Sequence, residues 1–267
     1  MEFESELAIA IDVVKDACEL IRSWYARLSE EDISYKDDDS PLTRADTEAN
    51  DHIVSELSSV FPRDGILSEE TVDSSDRLEN PRVWVIDPLD GTKEFIKKNG
   101  EFTVNVALVR DGQPVVGVIG VPAKHQLYYA VKGEGSFCID ASGESTRLSV
   151  SSVSKPSSMR LAKSRSHATD DLKRLISLLD ISEVIASGSS VKGCLVASGD
   201  ADAYVRLGDT HEWDICAMHL IVSEAGGVLT DLSGRIVLYN KEDTRINGFV
   251  VSNGKSHDDL ISAISTL

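Results

Sequence analysis

Val83-Trp84-Val85-Ile86-Asp87-Pro88-Leu89-Asp90-Gly91-Thr92-Lys93-Glu94-Phe95 joins an apolar strand to a carboxylate-bearing turn. The four apolar residues Val83 to Ile86 read as a buried strand. Asp87 and Asp90 follow, three residues apart, with Pro88 between them. Hard cations such as Mg²⁺ take carboxylate oxygens and usually keep waters and substrate phosphate oxygens as their remaining ligands. Asp87 and Asp90 on one turn can supply such oxygens. If a helix opens after them, the N–H groups of Gly91 and Thr92 can meet a phosphate. Taken as Asp-x-x-Asp alone, the same residues read as an Asp-Pro turn with a capping aspartate, because Asp and Pro dominate turns.

The 267 residues allow one large domain or two small ones around substantial cores. The start, Met1-Glu2-Phe3-Glu4, lacks the basic and apolar regions of a signal peptide. No apolar run approaches the ~20 residues of a membrane span. Cys18, Cys138, Cys194 and Cys216 are scattered, with no C-x-x-C pair, so neither a zinc site nor a disulfide framework is expected. A reduced, cytoplasmic protein is the natural reading. The net charge of −18 argues against nucleic-acid polymers and anionic membranes as partners. A phosphate substrate then needs local positive charge, which bound metal ions supply.

Around the central stretch, Leu7, Ile11, Val14, Cys18, Ile21 and Tyr25 recur at spacings of three and four and predict a first helix. A polar loop follows over 34–41, and its triplet Asp37-Asp38-Asp39 reads as a solvated loop ahead of the alternative, a metal site. A second helix is expected from about Asp46 to Phe61, with Ile53, Leu57 and Val60 inward. Strands are expected at 83–87, at 102–109 and 115–121 around the hairpin signal Asp111-Gly112, and at 128–131 and 135–139. The Ser-rich stretch 149–158 is the candidate boundary between domains 1–152 and 153–267. Beyond it the pattern alternates: strand 161–163, helix 169–179, strand 184–186, helix 190–198, helix 213–224 closed by Ala225-Gly226-Gly227, strand 248–252, and a last helix from His257. The class is α+β followed by α/β.

The run 83–95 resembles the signature of the metal-dependent, lithium-sensitive phosphatases: inositol monophosphatases, fructose-1,6-bisphosphatases and 3'(2'),5'-bisphosphate nucleotidases. Its ending Lys93-Glu94-Phe95 is similar to the nucleotidase branch of the CysQ type. Leu67-Ser68-Glu69-Glu70 stands where that family carries a metal-binding glutamate, and Glu69 is the matching position. Trp213-Asp214, with Ala217 and Ile221 to Gly227, resembles its second signature. Alone, Asp214 reads as an ordinary first-turn aspartate favoured by the helix dipole. The resemblance implies a layered α-β-α-β-α sandwich with the site between its halves. It implies two or three Mg²⁺ ions: one on Glu69, Asp87 and the Leu89 carbonyl, one on Asp87, Asp90 and Asp214, and a weaker third sharing Glu69. It implies inhibition by lithium, and a water oriented by Thr92 with Asp46 accepting its proton. Without the resemblance, Asp46 reads equally well as the cap of the second helix.

The substrate is read from the second half. Ser164-Arg165-Ser166-His167, Gly188-Ser189-Ser190-Val191-Lys192 and Tyr204-Val205-Arg206 place basic and hydroxyl groups at strand ends, a plausible anion pocket. They resemble the CysQ-type segments that grip the 5'-phosphate of adenosine 3',5'-bisphosphate. His167, Ser189, Lys192 and Arg206 are carried over on that basis, beside Glu69, Leu89, Asp90, Gly91, Thr92 and Asp214 as residues lining the reacting phosphate. The implied activity is a Mg²⁺-dependent 3'-phosphatase in sulfate assimilation or nucleotide recycling. It yields AMP and phosphate, and 3'-phosphoadenylyl sulfate is a further candidate substrate. Inositol monophosphatase or fructose-1,6-bisphosphatase activity is the alternative, and a non-catalytic nucleotide- or metal-binding regulator the remote one. Gly193 and Cys216-Ala217-Met218 depart from the family pattern, which tends to have an aromatic residue and a small Ala-Ala-Gly run there. The sequence leaves the oligomeric state open.

Overall fold

The apolar stripe of Leu7, Val14, Cys18 and Ile21 is buried along α1 (Glu4–Arg27), with Ile11 and Tyr25 half-buried beside it. The computed structural model describes residues 2–165 and 169–267. A short antiparallel pair, β1 (Ile33–Tyr35) and β2 (Pro41–Thr43), leads into α2 (Arg44–Val60). The chain continues through β3 (Gly65–Ser68), β4 (Arg82–Asp90), the short α3 (Thr92–Ile96), β5 (Thr103–Arg110), β6 (Gln113–Val121), β7 (Gln126–Val131), β8 (Gly135–Ile139) and β9 (Ser145–Arg147). Then come β10 (Arg160–Ser164), α4 (Asp170–Leu178), β11 (Glu183–Ser187), α5 (Val191–Ala197), β12 (Ala203–Arg206) and β13 (Thr210–His211). The last elements are α6 (Glu212–Glu224), β14 (Val228–Asp231), β15 (Arg245–Ile246), β16 (Phe249–Ser252) and α7 (His257–Ile264).

Strands β3 to β9 lie side by side in chain order as one seven-stranded sheet. The β3–β4 pair is parallel and the others are antiparallel. Asp111 and Gly112 both have positive φ, as a tight hairpin between β5 and β6 requires. The second sheet has five strands in the order β11-β10-β12-β16-β14, and β10 runs parallel to both its neighbours. Three apolar clusters separate the layers. One joins α1 and α2 to the large sheet. A second fills the space between the two sheets around α5 and α6. The third joins the small sheet to α4 and α7. The result is the layered α-β-α-β-α sandwich. The central layer sits tightly: a Cβ at Gly117 of β6 would lie 2.8 Å from the carbonyl oxygen of Ala217 in α6.

Two expectations need correction. Val60 is 46% exposed rather than inward. The buried stripe of α2 is Ala45, Ala49, Ile53 and Leu57, and Phe61, just past the helix, takes the inner place by packing on Trp84. Strand β4 does not stop at Asp87 but runs to Asp90. In the second half, β16 is antiparallel to both β12 and β14. Strands β3 and β14 give no readable signal in the sequence, because each is only four residues long, too short to show a period.

Candidate active site

In a regular strand, residues three apart point to opposite faces. Asp87 and Asp90 escape this because β4 carries one extra residue between them. Asp87 pairs with Asn105 and Asp90 with Thr103, so three steps on β4 match two on β5. Such a bulge re-aims side chains, and proline tolerates it because it needs no ladder N–H. Asp87 Oδ1 accepts the Leu89 N–H at 3.0 Å, which pins the bulge. Gly91 then takes a left-handed conformation (φ +93°) and caps α3. Thr92, the first residue of α3, is thereby turned back, and its hydroxyl donates to Asp46 Oδ1 at 2.9 Å and approaches the Leu89 carbonyl at 3.3 Å.

Asp46 and Asp214 are held by the same device. Each is the third residue of a helix, and each closes a capping box with the residue before that helix. Asp46 Oδ2 accepts from Thr43 N (2.8 Å) and Thr43 Oγ1 (2.6 Å). Asp214 Oδ2 accepts from His211 N (2.7 Å) and Thr210 Oγ1 (2.6 Å). The capping reading and the site reading of these aspartates are therefore not alternatives. One oxygen serves the cap, and in Asp46 the other meets Thr92.

The carboxylates converge. Asp87, Asp90 and Asp214 each offer an oxygen within 4.8 Å of the others. Asp87 is 1% exposed, and its Oδ2 has no hydrogen-bond partner among the described residues. Burial, then the charges of Glu69, Asp90 and Asp214, push its pKa well above the carboxylate range. Burial and then Asp214 raise Asp90 to about 6. Asp90 Oδ2 accepts the Ser190 N–H at 2.7 Å, which brings the α5 end of the second half against the first. Burial raises Asp46 to about 6 and Glu69 to about 7. Glu69 stands apart from the group of three, with its Oε1 at 2.8 Å from Lys36 Nζ; that ammonium also meets Glu70 at 2.6 Å. Buried like charges with an unpartnered oxygen are costly unless a cation joins them. An all-oxygen donor set suits a hard divalent ion.

One cavity of about 260 Å³ takes in Glu69, Asp87, Leu89, Asp90, Gly91, Thr92, Ser189, Lys192, Arg206 and Asp214. Lys192 is 4% exposed; its ammonium bonds the Ser189 carbonyl at 2.5 Å and lies 4.9 Å above the Tyr204 ring. Burial pulls its pKa down to about 8, against the attraction of Asp90. Arg206 donates twice to the Asp209 carbonyl, at 2.9 and 2.7 Å, which fixes its guanidinium at the cavity wall. Ser189 has a left-handed backbone (φ +42°) and a buried hydroxyl with no partner among the described residues. His167 lies outside the described residues.

Comparison with known proteins bears on this arrangement. The inositol monophosphatase family model matches residues 2–267. The chain belongs to the inositol monophosphatase family. A 3'(2'),5'-bisphosphate nucleotidase CysQ of Salmonella typhimurium is 38% identical over 242 residues, covering 90% of this chain and 96% of that protein. The crystal structure of CysQ from Bacteroides thetaiotaomicron, a bacterial member of the family, superposes with a TM-score of 0.82 at 38% identity. That match covers 94% of this chain and 98% of the other. An IMPase of Thermotoga maritima superposes with a TM-score of 0.84 at 27% identity, covering 98% and 97%. Inositol monophosphatase family enzymes use divalent metal ions, and the acidic cluster here fits one.

Within this family frame, the two departures noted in the sequence are one feature. A Cβ on Gly193 would lie 1.9 Å from Met218 Sδ and 2.2 Å from its Cγ. The methionine fills the place that a side chain at 193 would take, and it lines the cavity. Lys36 and Thr210 escaped the sequence reading, and Ser190 and Tyr204 stood in the quoted segments without a role of their own. Thr43 and Asp46 carried a legible signal, since Thr-x-x-Asp before a helix is a capping pattern. Lys36 carried none, because its partner Glu69 lies 33 residues away, and the bond from Ser190 to Asp90 spans 100 residues.

Proposed function

We propose that this chain is a Mg²⁺-dependent 3'(2'),5'-bisphosphate nucleotidase that hydrolyses adenosine 3',5'-bisphosphate to AMP and phosphate, with 3'-phosphoadenylyl sulfate as a second substrate. The observation that carries the reading is one cavity lined by both a carboxylate cluster and the buried Lys192 with Arg206. A polyol monophosphate has no second anion for those cations.

Glu69, Asp87, the Leu89 carbonyl, Asp90 and Asp214 would hold the metal ions, two or three in number. Bound there, the ions would acidify a water and neutralise charge on the phosphate and its leaving oxygen. The residues of the chain do the rest. Thr92 orients the attacking water through its hydroxyl and hands the proton to Asp46. Asp46, at about 6, is ionised at neutral pH yet basic enough to accept it. Lys192, Arg206 and the unpartnered Ser189 hydroxyl hold the 5'-phosphate. That grip makes remote binding energy serve the reaction at the 3'-phosphate. The reading includes a division into 1–152 and 153–267, with the site between them, and a cytoplasmic location. Four free cysteines accord with the latter, and no described helix is long and apolar enough to cross a membrane.

The test is phosphate release with Mg²⁺ from adenosine 3',5'-bisphosphate, inositol 1-phosphate and fructose 1,6-bisphosphate, compared by kcat/KM. A preference of ~100-fold for the nucleotide, about 2.7 kcal/mol in transition-state binding, is expected. Comparable rates would overturn the assignment of Lys192 and Arg206.

A further inference from the structure

Glu69 and Asp214 approach the cavity from opposite halves of the chain, and one buried arginine is bonded both to the loop that follows Glu69 and to a strap tied to the helix that carries Asp214. Arg77 is 3% exposed. Its Nε and Nη2 donate to Asp73 Oδ1 (2.6 Å) and Oδ2 (2.7 Å), at the end of the loop that begins with Glu69. Its Nη1 donates to Asn240 Oδ1 (2.7 Å), Nη2 reaches the Lys241 carbonyl (3.0 Å), and Asn240 Nδ2 returns a bond to the Arg77 carbonyl (2.9 Å).

The segment that Arg77 grips is tied directly to α6. The N–H groups of Asn240 and Lys241 donate to the two carboxylate oxygens of Glu212, at 2.6 and 3.1 Å. Glu212 is fully buried, opens α6 and stands two residues before Asp214. The neighbouring Tyr239 bonds the Gly112 carbonyl through its N–H (3.1 Å), and its hydroxyl meets His219 of α6 at 2.8 Å. The strap 239–241 thus spans the interval between the first half, at Arg77 and Gly112, and the helix that delivers Asp214. A bidentate guanidinium–carboxylate pair fixes direction as well as distance. The carboxylate of Asp73 is half-exposed, so this pair adds little net stability, and its part is to fix where the guanidinium points.

We propose that Arg77 is a positioning residue for the metal site: through Asp73 on one side and Asn240, Lys241 and Glu212 on the other, it sets Glu69 against Asp214 and so sets the site's affinity for its ions. This rests on the metal-site reading above.

The experiment compares Arg77→Met and Asn240→Gly with a control, Arg160→Met. Asn240 has a left-handed backbone (φ +61°), which glycine adopts freely, so Asn240→Gly removes only the side-chain bonds to Arg77 and keeps the fold. Arg160 makes a comparable pair with the buried Asp202 but does not line the cavity. The readouts are binding of Mn²⁺ alone by calorimetry, melting temperature, and kcat and KM for the bisphosphate. The expected result is Mn²⁺ binding weakened about tenfold in Arg77→Met and several-fold in Asn240→Gly, with kcat lowered and nucleotide KM unchanged. Arg160→Met, at a similar loss of melting temperature, binds Mn²⁺ as the unaltered chain does. Unchanged Mn²⁺ affinity in Asn240→Gly, or equal weakening in Arg160→Met, would overturn the proposal. The calorimetry decides this even if the unaltered chain hydrolyses no bisphosphate, which would refute the nucleotidase reading alone.

Discussion

Replacing Asp90 by Asn should remove activity and make the metal-free protein more stable at neutral pH. Asp90 titrates at about 6 in the folded chain, against 3.8 for an unperturbed aspartate. The folded state therefore holds its proton longer than the unfolded state. Between those two values stability falls as pH rises, and above about 6 the whole penalty is present. Two pKa units correspond to about 3 kcal/mol. At about 2–4 °C per kcal/mol for a chain of this size, the ceiling on the gain is roughly 6–12 °C. The amide oxygen of Asn can still accept the Ser190 N–H, but its NH₂ needs a partner of its own, so the net gain falls below that ceiling. The assay is thermal melting after chelation, from about pH 4 to pH 8, with and without Mg²⁺. The expected pattern is no stabilisation near pH 4, a stabilised variant near pH 7.5, and a smaller Mg²⁺-induced rise in the variant than in the unaltered chain. A variant destabilised equally at both ends of the range would refute the claim that Asp90 is held ionised at a cost that metal offsets.

Other outcomes follow from the same geometry. Thr92→Val, which removes the hydroxyl donating to Asp46, should lower kcat by roughly 10²-fold or more with KM little changed, measured by phosphate release. Lys192→Met should lower kcat/KM for adenosine 3',5'-bisphosphate by about 10–100-fold while leaving a nucleoside 3'-monophosphate nearly unaffected, because only the former has a second phosphate. Gly193→Phe should unfold the protein at lower temperature, since its side chain needs the place of Met218, and adding Met218→Gly should restore part of the loss. Coupling of about 0.5–3 kcal/mol in the four-way comparison is expected, and strict additivity would show that the two residues do not share that space.

The legible part of the fold came from periodic segments. The stripe from Leu7 to Tyr25, the Asp111-Gly112 hairpin and the Trp213–Glu224 helix each carry a local signal long enough to read. Val60 was misplaced because the 3.6-residue period says nothing about which of two neighbours at a helix end turns inward; contact with Trp84 decided for Phe61. Among the site residues, Asp87, Asp90 and Thr92 stand in one run, and Asp46 and Asp214 stand at helix starts. Lys36 was missed, and Ser190 and Tyr204 had no role of their own, because what gives each a part in the site is a neighbour distant in sequence.

The sequence by itself determined the residue types of the site, the helix starts that hold Asp46 and Asp214, and the strand that carries Asp87, because capping and burial patterns are set within a few residues. Only the tertiary structure decided that Asp87 and Asp90 face the same way, since that depends on a bulge defined by pairing with β5. Only it decided that Lys36 is bonded to Glu69 and that Met218 occupies the space beside Gly193. Charge repulsion, burial and packing act through space, and the chain folds back on itself before any of them can be read.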